Sequence, residues 1–85
     1  MTPAWPARLS PNASAVLAQL QSEVQEMVRD VLDIASRQPW GWPQWDPTDQ
    51  EGPDLRRADV GPLTVVYFVN GPREYLYVLD IVWAG

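Results

Sequence analysis

Only arginine supplies positive charge in this chain. Arg8, Arg29, Arg37, Arg56, Arg57 and Arg73 stand against eleven acidic residues, for a net charge of −5. A guanidinium is a rigid fork of donors that suits phosphate and carboxylate, so Arg56, Arg57 and Arg73 are the first candidates for an anion-binding or partner-binding patch. The plainer reading of the same three residues is a solvated strand edge and a turn. Histidine and cysteine are both absent. Their absence removes the usual general base, the usual neutral metal ligand, disulfides and thiolate metal sites. With no histidine there is no hydrolase triad, and no glycine-rich phosphate loop occurs. Asp46, Asp49, Glu51 and Asp54 lack the glycine and the closing bidentate glutamate of an EF-hand loop, so neither metal nor cofactor is expected.

Aromatic residues supply the second set of candidates. Trp40, Trp42 and Trp45 are separated by Gly41 and Pro43, which gives large rigid rings on a restricted backbone. That pattern suits a partner-binding platform, and it equally suits a lid over the end of a small core. Tyr67, Tyr75 and Tyr77 are read either as acid/base or stacking groups, or as core aromatics with a wet hydroxyl. Asp80 interrupts an apolar run and is expected either to pair with an arginine such as Arg57 across a sheet or to face solvent.

These residues need elements to position them, and 85 residues allow a single domain spanning 1–85. Residues 5–9 form a short strand that Pro6 confines to a sheet edge. Ser10-Pro11 is a helix start, followed by Val16, Leu17 and Leu20 at helical spacing. Ser22-Glu23-Val24-Gln25 has the form of a capping box. Beyond it, Val24, Met27, Val28, Val31, Leu32 and Ala35 trace an amphipathic face that Pro39 brings to an end. The spacing predicts helices over 11–20 and 22–37. Residues 38–54 read as a loop with four prolines and no period. Strands follow over 55–59, 63–69 and 75–83, with Asn70-Gly71 as a hairpin signal. On the last strand, Tyr75, Tyr77, Leu79 and Ile81 are expected to face the helices. The order β-α-α-β-β-β predicts an α+β fold, a helical hairpin on a small, mainly antiparallel four-stranded sheet.

Over nearly its whole length this pattern resembles the RelE/ParE superfamily of bacterial type II toxins. The resemblance rests on SPNASAVLAQL and SEVQEMVRDVLDIASRQP in the helical hairpin and on two strand motifs. Gly61-Pro62-Leu63-Thr64 followed by Val65-Val66-Tyr67 stands where the family typically has Gly-Asp-Tyr-Arg and Val-x-Tyr. Val78-Leu79-Asp80-Ile81-Val82-Trp83-Ala84 stands where it typically has Val-Leu-x-Ile-x-His-Arg. RelE-like members cut mRNA on the ribosome, with basic residues on the sheet binding phosphate. The family often places arginines four and two residues before the strand glycine. Arg57 keeps the first of these positions and Asp59 occupies the second. Thr64 stands at the strand arginine, and Trp83 and Ala84 at the terminal His-Arg. Arg57 is therefore the one catalytic candidate, and threonine and alanine cannot replace a guanidinium fork.

The resemblance implies a toxin of a toxin–antitoxin system, or a descendant of one, that acts by protein binding with most RNase residues lost. Its implied partner is a cognate antitoxin, with a cellular target such as gyrase or the ribosome. The alternatives are a ribosome-dependent mRNA endonuclease and a non-toxic interaction module, including a homodimer. Direct nucleic-acid binding does not suit the acid excess. An N-terminus without a basic segment leading into an apolar run, and no apolar stretch of ~18 residues, predict a cytoplasmic protein with no membrane contact.

Overall fold

Ser10 begins the first helix as its type predicts, and it does more than cap. Its hydroxyl accepts the Ala13 amide at 3.0 Å and donates to the Leu79 carbonyl at 3.0 Å, while its own amide reaches the Val78 carbonyl at 2.9 Å. One buried serine thus joins the helix start to the final strand. The structure is a computed structural model and describes residues 4–49 and 52–85. Its elements are β1 (Ala7–Leu9), α1 (Pro11–Gln19), α2 (Ser22–Arg37), β2 (Leu55–Val60), β3 (Leu63–Asn70) and β4 (Tyr75–Trp83). The sheet order is β1-β4-β3-β2, with β1 parallel to β4 and the other pairs antiparallel. This is the expected α+β arrangement. Among the described residues no helix is long and apolar enough to cross a membrane.

The α2 face is the one its period predicts. Val24, Val28, Val31 and Ala35 are buried, with Met27 and Leu32 partly so. Val28, Val31 and Ala35, with Met27 and Leu32 beside them, pack with Ala13 of α1 against Ala58, Leu63, Val65, Tyr67, Val69, Leu76, Val78 and Ile81 on one side of the sheet. The α2 cap differs from expectation. Gln21 is the N-cap, without a side-chain bond, and Ser22 is already helical. Gln25 does not close a capping box. Its Nε2 donates to the Leu17 carbonyl at 2.8 Å and ties α2 to the end of α1.

The β4 facing also departs from simple alternation. Tyr67 pairs with Val78 and Val66 with Asp80, so Leu79 is an extra residue in β4. A bulge of this kind shifts the alternation by one position. Leu76, Val78 and Ile81 are therefore buried, and of the residues expected inside only Ile81 is there. Asp80 takes the second of its expected roles, turning outward with no arginine partner among the described residues. Its Oδ1 accepts Asn12 Nδ2 at 2.9 Å and the Ile81 amide at 2.8 Å. The β3–β4 turn spans residues 71–74, closed by the Asn70 side chain accepting the Arg73 amide, and Glu74 takes the left-handed conformation at φ 57°.

Ser10→Ala removes a helix cap and the donor to the bulge together. We expect a loss of about 1–2 kcal/mol in urea unfolding, against less than about 0.5 kcal/mol for Ser14→Ala on the exposed side of α1. Equal effects of the two changes would show that the Ser10 junction contributes nothing beyond helix propensity.

Candidate functional site

The helices cover one face of the sheet, so the residues that alternate away from them form an open face. Cross-strand register arranges it in three rows. They are Leu55–Phe68–Tyr77, Arg57–Val66–Asp80 and Asp59–Thr64–Val82. The strand positions singled out in the sequence, 57, 59 and 64, meet in this face. Arg57 donates through Nε and Nη2 to the two carboxylate oxygens of Asp59, at 2.8 and 3.2 Å. Thr64 Oγ1 donates to Asp59 Oδ1 at 2.6 Å. The Trp45 ring lies over the Arg57 guanidinium, 5.2 Å from centroid to carbon.

The hydrogen bonds from Arg57 and then from Thr64 hold the Asp59 carboxyl below its usual range. The same bond to Asp59, reinforced by its charge, raises Arg57 further above neutrality. Both side chains are about two-fifths exposed, 41% and 44%, so the pair has the modest strength of a surface ion pair. The cluster is a closed, neutral unit.

The three arginines do not form one patch. Arg56 alternates to the opposite face from Arg57, where its Nη1 donates to the Trp42 carbonyl at 3.0 Å. Arg73 lies exposed in the β3–β4 turn. Arg8, on the edge strand, places its guanidinium 4.8 Å over the Tyr75 ring.

The three tryptophans likewise go to different places. Trp40 meets Trp5 edge-on at 5.5 Å and donates from Nε1 to Asp54 at 3.0 Å. Trp42 is half-buried against the core, and its Nε1 and the Arg56 Nε are buried without a hydrogen-bond partner among the described residues. Trp45 is exposed on Arg57. Residues 43–45 run as a strap along β2, with the Trp45 amide bonded to the Leu55 carbonyl at 2.8 Å and the Arg57 amide to the Pro43 carbonyl at 3.0 Å. Pro43 has no N–H to return, so the strap stops there.

The loop acids are mostly engaged locally. Asp46 Oδ1 accepts the Thr48 amide and hydroxyl, whose hydrogen bonds hold its carboxyl low, and Asp54 takes Trp40. Glu51 lies outside the described residues.

Of the tyrosines, only Tyr67 is a core residue. It is fully buried and its hydroxyl donates to the Pro39 carbonyl at 2.8 Å. Tyr75 and Tyr77 are only partly buried. Trp83 packs partly buried against the core, and the Ala84 amide bonds to the Pro62 carbonyl at 2.9 Å. Positions 83 and 84 therefore serve the end of the sheet. Ser10 and Asn12, which fix the outward Asp80, carried no functional signal in the sequence, because their partners are 67–69 residues away.

The fold has close counterparts among solved structures. A chain of the RelBE2 toxin–antitoxin complex from Mycobacterium tuberculosis superimposes with a TM-score of 0.79 at 17% identity, covering 95% of this chain and 99% of that one. A double arginine-to-alanine mutant of E. coli RelE in the free state gives 0.76 at 18% identity, covering 96% and 85%. A chain of the archaeal RelE–RelB complex from Pyrococcus horikoshii gives 0.64 at 19%, covering 98% of each. The fold is that of the RelE toxins. No protein-family model and no curated protein matches the sequence. The likeness is one of backbone architecture, carried across sequences that share fewer than one residue in five.

Burial pushes the Tyr67 hydroxyl up to about 12, against the lowering influence of the Arg56 charge and the Trp42 backbone. A folded-state value above the unfolded one means the native state holds its proton longer. The contribution is complete below the unfolded value near 10 and is lost as pH rises from there to about 12. Tyr67→Phe should cost about 0.5–1.5 kcal/mol at neutral pH through loss of the Pro39 bond. It should also flatten the fall in stability between these two pH values. Urea midpoints measured across that range check both parts, and an unchanged alkaline slope would remove Tyr67 as its source.

Proposed function

We propose that this chain is a protein of the toxin–antitoxin type, or a descendant of one, that acts by binding protein and not by cutting RNA. One observation carries the reading. The open face offers a single guanidinium at the positions that RelE-like enzymes use for phosphate, and that guanidinium is held by Asp59. In-line cleavage of RNA needs uncompensated donors aimed at the developing phosphoryl charge, and loss of one such preorganised donor costs about 10²–10³ in rate. Thr64 donates one neutral hydrogen bond to a carboxylate, and Trp83 and Ala84 support neither proton transfer nor charge stabilisation.

The partner this reading implies is a cognate antitoxin. Several structural counterparts are toxin–antitoxin complexes, which supports a protein partner for this fold. A second protein, such as gyrase or the ribosome, would be the target of any toxicity. The acid excess favours a partner with basic or neutral contact surfaces. On this reading the protein works in the bacterial cytoplasm.

Expression of the chain in a bacterial host, with and without the small gene beside its own, tests the reading. We expect growth arrest relieved by the neighbouring product, and intact transcripts on primer extension. Ribosome-dependent cuts that Arg57→Ala abolishes would overturn it in favour of the endonuclease. Absence of arrest, with a stable complex or homodimer, would assign the chain to a non-toxic interaction module.

A further inference from the structure

Few bonds hold residues 42–45 against β2. Arg56 Nη1 donates to the Trp42 carbonyl at 3.0 Å, the Trp42 backbone meets the Tyr67 hydroxyl, and two backbone bonds join Trp45 to Leu55 and Arg57 to Pro43. Closure leaves two donors dry. Trp42 Nε1 on the strap, and Nε of Arg56, the residue that Gln44 pairs with, are buried with no acceptor among the described residues. A buried donor without a partner carries its full desolvation penalty, which water removes once the group is exposed. Beside Trp42 an open cavity of about 180 Å³, lined by Ile34, Gln38, Gly41 and Trp42 itself, leaves the indole loosely packed on that side. The strand beneath does not need the strap, because β2 pairs with β3 from Leu55 to Val60. Alternation at an antiparallel edge turns the backbone groups of Leu55, Arg57 and Asp59 outward. The strap takes the Leu55 carbonyl and the Arg57 amide. Pro43 has no N–H for the Arg57 carbonyl, and neither that carbonyl nor the Asp59 backbone has a partner among the described residues.

We propose that residues 42–45 open as a unit while the rest of the fold stays intact, with Trp42 as the latch, and that opening bares the outer edge of β2 from Leu55 to Asp59. Opening hydrates both unpaired donors and so recovers part of what it loses in contacts. Local opening of this kind belongs to segments with little burial and few backbone bonds. Upstream of the hinge at Gly41, Trp40 stays fixed by Trp5 and Asp54, and the Pro39 carbonyl by Tyr67. The inference goes beyond the protein-binding reading and does not depend on it, since it concerns only how the strap is held.

Native-state hydrogen exchange of the full chain at pH 7, followed by NMR in low urea, tests the opening. After correction for intrinsic rates, the Trp45 and Arg57 amides should share one protection factor. It should be at least ~100-fold smaller than that of the Val65 amide, with a much shallower dependence on urea. One protection factor and one urea slope for all three amides would mean that the strap opens only with the whole protein, and would overturn the proposal. Unlike values for Trp45 and Arg57 would mean separate fraying and overturn it equally. The latch is tested by synthesising the chain with 3-benzothienylalanine in place of Trp42, which keeps the ring shape and lacks the N–H. Removal of an unpaired buried donor should slow exchange at Trp45 and Arg57 about tenfold. Unchanged or faster exchange would show that the indole N–H does not oppose closure, and would overturn the assignment of Trp42 as the latch. None of these results bears on whether the protein binds an antitoxin.

Discussion

The bulge at Leu79 is held in place by the start of α1. The Ser10 hydroxyl and the Asn12 amide both donate to the Leu79 carbonyl, and Asn12 also reaches the Asp80 carboxylate. Everything on the sheet depends on this junction. Without the extra residue, one half of β4 would present the wrong side chains, because period-2 alternation cannot put Leu76, Val78 and Ile81 on one face. With it, all three join the core and Asp80 and Val82 turn outward. A contact between residues nearly seventy positions apart therefore sets the composition of both faces at once. It also ties the helical hairpin to the last strand, in a chain too small to draw on a large core.

The same economy governs the loop between α2 and β2. A connection of seventeen residues is long for so small a domain and needs fixing by its own side chains. Here Trp40 is fixed by Trp5 and Asp54, the Pro39 carbonyl by Tyr67, the Trp42 carbonyl by Arg56, and residues 43–45 by two backbone bonds to β2. The strap satisfies part of an otherwise open sheet edge, which limits unwanted strand pairing. Each indole serves a separate purpose, so the loop's tryptophans are not a shared platform. Of the three, Trp42 packs against the core, while Trp40, set edge-on against Trp5, and Trp45, on the open face, stay exposed.

Element order and helix limits were legible in the sequence because they are local. Ser10-Pro11 starts a helix wherever it lies, and the α2 stripe needs only its own period. The bulge was not legible. Tyr75, Tyr77, Leu79 and Ile81 form a perfect alternating set, and nothing in β4 itself marks the extra residue, whose cause lies in α1. The candidate site was half legible. Spacing from Gly61 put Arg57, Asp59 and Thr64 at related positions, and the register brings them together. What spacing could not supply was their mutual bonding. Asp59 and Thr64 looked like losses of charge, yet they are the groups that close on Arg57. Adjacent Arg56 and Arg57 looked like a pair, yet strand alternation sends them to opposite faces.

That bonding decides the physical character of the open face. Arg57 is matched by Asp59, Asp80 by Asn12, and Arg8 lies over Tyr75. Polyanion binding draws on uncompensated positive charge, and this face has little to offer on a chain that is already acidic. What remains unmatched is apolar, with Phe68, Leu79 and Val82 exposed by 40%, 38% and 47%. Aromatic enrichment and depletion of free charge characterise the buried centre of protein interfaces. An antiparallel sheet that met only water would carry polar side chains at such positions. The sheet and helical hairpin match those of the RelE toxins, while the open face of this chain sets paired charges beside exposed apolar side chains.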